Sequence, residues 1–165
     1  MELIVIAHNI RSAHNVGALL RSCDGFGVRR FYATGYTPYP TLTDDTRLPH
    51  LRDKLHRQIA KTALGAERTV DVRYCDDIIA LLQNYHQQGF TIAALEQTAH
   101  SVMLPDYQPP RRLVLLLGEE LHGITKKLLD LCDIALEIPM NGYKESFNVS
   151  VAAGIALYAL CHIKV

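Results

Sequence analysis

The run Leu113-Val114-Leu115-Leu116-Leu117 constrains the fold more than any other stretch of the chain. Consecutive apolar residues leave no polar side to turn toward water, so a strand built from them must be covered on both faces. Such a strand belongs at the centre of a sheet flanked by helices. Runs of strand character recur at Leu3–Ala7, Val28–Ala33, Thr69–Tyr74, Phe90–Leu95 and Ile134–Ile138. Between them lie segments of helical spacing. Val16, Leu19, Leu20, Cys23 and Phe26 mark one helix face, closed by Gly25 and Gly27, and Ile78, Leu81, Leu82 and Tyr85 mark another. Leu128, Leu129 and Cys132 fit a short helix, and Val149, Ala153, Ala156 and Leu160 a longer one. The strand-helix-strand order predicts an α/β fold: a mainly parallel sheet of about six strands with helices on both faces. A chain of 165 residues suits a single domain over 1–165.

The net charge is zero with histidines neutral, so any polyanion would have to be met by local clustering. One such cluster exists. Between Thr46 and Arg68, Arg47, Arg52, Lys54, Arg57, Lys61 and Arg68 are opposed only by Asp53 and Glu67. A solvated helix face and a phosphate-tracking surface explain it equally well. The preceding stretch, Tyr36 to Pro49, is rich in Thr, Pro and Asp and reads as a mobile surface loop. Cys23, Cys75, Cys132 and Cys161 are far apart, without metal-ligand spacing, and read as reduced thiols. No apolar run approaches the roughly 20 residues of a membrane span. The chain reads as cytoplasmic, with no membrane and no metal partner.

In α/β sheets, ligands meet the carboxyl ends of strands. Three turns there are chemically equipped: Glu96-Gln97-Thr98, Gly118 to Gly123, and Pro139 to Asn148. In the last, Pro139 and Gly142 release the backbone from the strand, and Ser146 and Asn148 suit a helix opening. Asn15 and Arg21, near the first predicted helix, have a plain reading as an N-cap and a solvated arginine.

These stretches carry a resemblance. Asn9, Arg11, Asn15, Gly17, Arg21 and Gly27 match N-x-R-x-x-x-N-x-G-x-x-x-R-x-x-x-x-x-G. Gly118, Glu120 and Gly123 match G-x-E-x-x-G after an apolar strand, and Ile138 to Ala152 resembles I-P-M-x-G, spacer, S-L-N-V-S-V-A. These are the three motifs of the TrmH-type branch of the SPOUT methyltransferases, RNA 2'-O-ribose methyltransferases. One departure is Phe147, where the family usually has leucine. Lys61 to Glu67 also resembles the family's sequence before its third strand.

The resemblance implies a C-terminal deep trefoil knot, a homodimer joined through terminal helices, and S-adenosyl-L-methionine as cofactor. It places Gly118, Ile138, Met140 and Phe147 around that cofactor, with Leu95 and Glu96 nearby. Arg21, Ser146 and Asn148 become the catalytic candidates, with Asn15 and Glu120 as supports. Arg11, Arg47, Arg52, Lys54, Arg57 and Lys61 become candidates for contact with a tRNA or rRNA substrate. Neither His14 nor His122 occupies a catalytic position of the family. Two other readings stay open: methylation of a base nitrogen on the same scaffold, and a non-catalytic RNA- or cofactor-binding protein.

Overall fold

A computed structural model describes residues 1–162. Its strands are β1 (Glu2–His8), β2 (Arg30–Thr34), β3 (Asp71–Cys75), β4 (Thr91–Leu95), β5 (Val102–Met103), β6 (Arg112–Leu117) and β7 (Ile134–Glu137). The helices are α1 (Ala13–Gly25), α2 (Pro49–Ala63), α3 (Ala66–Thr69), α4 (Ile78–Gln87), α5 (Lys126–Leu129) and α6 (Val149–His162). The strands form one sheet in the order β3-β2-β1-β6-β4-β7-β5, and every pairing is parallel. The expected central strand, β6, lies between β1 and β4.

Pleat and register explain why unbroken apolar runs were needed. Leu3, Val5 and Ala7 pair with Leu113, Leu115 and Leu117 and point to one face, where they pack with Leu19, Leu20 and Ala156. Ile4 and Ile6 pair with Val114 and Leu116 and point to the other, joining Leu82 and Leu128. Both faces are therefore closed. Each such fully buried aliphatic side chain contributes about 1.5–3 kcal/mol of transfer free energy.

The differences from expectation have local causes. The sheet has a further edge strand, β5, whose two residues are too few for any periodicity to show. Val28 precedes β2 because its N–H is used to close α1 on the Cys23 carbonyl at 2.8 Å. Thr69 ends α3 rather than opening β3. Leu64 and Gly65 both have positive φ and separate α3 from α2. The Tyr36–Pro49 loop, expected to be mobile, is pinned from within. Arg47 donates to the Asp45 carboxylate and to the Tyr39 and Pro40 carbonyls, with its guanidinium 3.6 Å from the Tyr39 ring centre. Tyr39 in turn stacks on Tyr74 of β3 at 4.6 Å.

The Arg47 hydrogen bond is the main reason the Asp45 carboxyl titrates well below the usual range. A carboxyl depressed in the folded state stabilises above its unfolded pKa, about 4, and loses that contribution as pH falls through its folded value. Asp45→Asn should therefore cost about 1.5–3 kcal/mol at neutral pH. The gap from wild type should narrow below about pH 4, as read by urea denaturation across pH.

Gly17 sets the approach of α2 to α1. A methyl group there would lie 2.1 Å from Thr62 Oγ1 and 2.3 Å from the Ile59 carbonyl oxygen. The second of these is backbone and cannot swing away. Gly17→Ala should lower stability by about 1–3 kcal/mol in thermal or urea unfolding, even though alanine favours helix.

Candidate active site at the carboxyl ends of the strands

Beyond the ends of β4, β6 and β7 lies a cavity of about 340 Å³, within the range that takes a small molecule. Leu95, Glu96, Gly118, Ile138, Met140 and Phe147 all line it. Its floor requires glycine. A Cβ on Gly118 would come within 2.5 Å of the Ile124 side chain and 2.7 Å of the Gly123 carbonyl carbon. Gly123, at φ +66°, closes the loop through paired backbone hydrogen bonds with Glu119. Glu96 has a role beyond lining: its carboxylate accepts from the Ile124 N–H at 2.8 Å and from the Gln97 N–H at 3.1 Å. Gln97 donates its side-chain amide to the Glu145 carbonyl at 2.9 Å, tying the loop before α6 to the cavity wall. The sequence marks Gln97 as part of a polar strand end but not its partner, because Glu145 lies 48 residues away in the chain.

At the mouth of this cavity three distant residues are joined. Glu120 Oε1 accepts from Asn15 Nδ2 at 3.0 Å, and Asn15 Oδ1 accepts from Asn148 Nδ2 at 3.3 Å. Asn148 Oδ1 then accepts from both the N–H and the hydroxyl of Ser150 in the first turn of α6. An ionised carboxylate only accepts, so it turns the Asn15 NH₂ toward itself, and each later amide follows. The other carboxylate oxygen accepts from the Arg11 N–H at 3.3 Å. Asn148 caps α6 as expected. Asn15 does not cap α1; Ser12 does, accepting from the Asn15 N–H.

Arg21 and Ser146 do not join this network. Ser146 is exposed in the loop lining the cavity. Arg21, exposed farther along α1, borders a separate open hollow with Lys61, Thr62, Ser150 and Val151, and it forms no hydrogen bond or ion pair with the described residues. Ser150 links the two places, since it is bonded to Asn148 and lines the hollow. The basic candidates divide. Lys54, Arg57 and Lys61 are exposed at helical steps along one side of α2, leading toward Arg21. Arg52 pairs with Asp53 at 3.0 Å. Arg47 is consumed within its own loop, so the expectation that it faces RNA does not fit its packing. Arg11 has an exposed side chain beside the cavity mouth.

The residues present suit S-adenosylmethionine. The cavity combines apolar side chains with the turn backbone at Gly118, Ile138 and Met140, a mixture matched to an adenine ring and its polar edge. Among the described residues, no group of three or more His, Cys, Asp or Glu is arranged to hold a metal ion. No helix among them is long and apolar enough to cross a membrane.

The chain matches the model of the SpoU rRNA Methylase family over residues 2–158. It is 31% identical over 160 residues to a tRNA (guanosine(18)-2'-O)-methyltransferase of Thermus thermophilus, covering 95% of this chain and 73% of that one. Its fold is similar to the TrmH/SpoU tRNA modifying enzyme of A. aeolicus, with a TM-score of 0.79 and 28% identity over 96% of this chain and 73% of that one. It also shares the fold of the SpoU methyltransferase AviRb from Streptomyces viridochromogenes, solved in complex with AdoMet, at a TM-score of 0.76 and 20% identity over 94% of this chain and 58% of that one. With its three motifs gathered at one end of a parallel sheet, the chain belongs to the SpoU rRNA Methylase family, the TrmH-type, S-adenosylmethionine-dependent RNA 2'-O-ribose methyltransferases.

Proposed function

We propose that the protein methylates a ribose 2'-hydroxyl of a tRNA in the cytoplasm, acting as a homodimer with the family's C-terminal trefoil knot. The observation that carries the reading is the Glu120–Asn15–Asn148 chain of hydrogen bonds at the mouth of the small-molecule cavity. Similarity to the tRNA (guanosine(18)-2'-O)-methyltransferase of Thermus thermophilus and to the tRNA modifying enzyme of A. aeolicus supports tRNA as the substrate class.

The bound cofactor supplies an electrophilic sulfonium methyl. The residues of the chain must then align a hydroxyl with that methyl and manage its proton. Gly118, Ile138 and Met140 would offer backbone groups to the adenine, and Phe147 would supply apolar contact. Asn15, Glu120 and Asn148 hold the start of α6 against α1, keeping Ser146 and Phe147 over the cavity. A guanidinium stays protonated, so Arg21 is no general base. Its role is to clamp the phosphate next to the target ribose and to stabilise negative charge on the 2'-oxygen, with the proton passing to phosphate or water. Its freedom from protein partners supports that role, as does its place beside Lys61.

Arg21→Ala and Arg21→Lys should each lower kcat by about 10²-fold, because a lysine cannot make the paired contacts of a planar fork. Transfer of labelled methyl to tRNA, with alkali-resistant linkages as the product, reads this. Near-full activity of the lysine variant would rule out the clamp.

The dimer is supported by the outer side of α6, where Val151, Ile155 and Tyr158 are exposed at helical steps and Tyr158 packs edge-on against Phe26. Ile155→Glu should convert a dimeric mass to a monomeric one in light scattering, since burying that charge unpaired is costly.

A further inference from the structure

At the end of β2, next to the cavity, stands an aromatic ring that the activity has not yet used. Tyr36 is 53% exposed, yet its backbone is held rigidly. Its N–H donates to Asn9 Oδ1 at 3.2 Å, and Gly35 before it turns at φ +62°. Thr37 after it is buried, donating its hydroxyl to the Ala7 carbonyl at 2.9 Å and accepting from the Ile10 N–H at 3.0 Å. The Glu119 carboxylate lies within electrostatic reach of the hydroxyl at the far end of the ring.

Glu119 stands near this ring at the catalytic end of the sheet. It lines the cofactor cavity, contacts His122 Nδ1 at 3.3 Å, and immediately precedes Glu120, which holds Asn15. The exposed Arg11 guanidinium lies close enough to act electrostatically on both Tyr36 and Glu119. An exposed aromatic on a fixed backbone, beside a cation and on the rim of a site acting on ribose, has the chemistry that receives an unpaired base: every base offers a π-face, and a tyrosine has few rotatable bonds to lose on stacking.

We propose that Tyr36 is the stacking platform for an unpaired RNA base at or beside the methylated nucleotide. This inference rests on the reading of the protein as an RNA methyltransferase. It assigns substrate contact to a residue outside the three sequence motifs.

The test uses three variants of the full chain with S-adenosylmethionine and tRNA. Tyr36→Ala should raise KM for tRNA by about tenfold or more, while the calorimetric affinity for the cofactor stays at the wild-type value. Tyr36→Phe, which keeps the ring and drops the hydroxyl, should recover most of the loss. The chain has no tryptophan, so Tyr36→Trp creates a single reporter at this position. Its emission should be quenched by an RNA oligonucleotide and not by an abasic oligonucleotide of the same length. An unchanged KM in the alanine variant, or tryptophan emission indifferent to RNA, overturns the platform while wild-type methyl transfer keeps the activity standing. If wild type methylates no RNA, the activity reading is what fails; the tryptophan titration then decides the platform alone, with base-dependent quenching supporting it and no quenching overturning it.

Discussion

The carboxylate of Glu120 is the constraint on which the active end of this protein depends. It accepts from the Asn15 side chain and from the Arg11 backbone, so it fixes how the chain leaves β1 and enters α1. Through Asn15 it also fixes Asn148 and the start of α6. A carboxylate has no proton to give when ionised, so the donor and acceptor order of the whole relay follows from one charged group. Residues separated by 105 and 133 positions in the chain are thereby held to one geometry.

The cavity beside this relay is shaped by what two glycines leave out. Gly118 lets the turn after β6 fold flat against Ile124, and Gly123 lets the Glu96 carboxylate come up beneath it. The carboxylate then satisfies the Ile124 N–H, which would otherwise be left without a partner at the end of the turn. Packing and hydrogen bonding therefore specify the same loop path, and the cavity is preformed.

The basic side chains divide into those paired with a carboxylate and those left exposed on the helix surface. Arg30 and Arg73 are taken up by Asp71, Arg47 by Asp45 and Arg52 by Asp53. Lys54, Arg57, Lys61 and Arg21 make no such pairs among the described residues and remain exposed. A chain of zero net charge thus displays a basic stripe from α2 to α1. Attraction along such a stripe is screened by salt over about 10 Å at 0.1 M, so it acts near the surface and leaves the fold unaffected.

The α/β class, the central place of Leu113–Leu117 and the capping role of Asn148 were legible in the sequence, because each depends on local periodicity or on one residue's own chemistry. The candidate cofactor residues, four from the motifs and two from the Leu95-Glu96 turn, all line one cavity. What the sequence could not distinguish was Arg47 from Arg57, since both sit in the same basic run; only the tertiary structure brings Asp45 and Tyr39 to the first and leaves the second free. The same holds for β5, too short to carry a pattern, and for Tyr36, an ordinary loop tyrosine until its neighbours are seen. The sheet order decided these cases: placing β6 between β1 and β4 gathers loops from across the chain at one end, and contacts between distant segments follow from that path, not from local pattern.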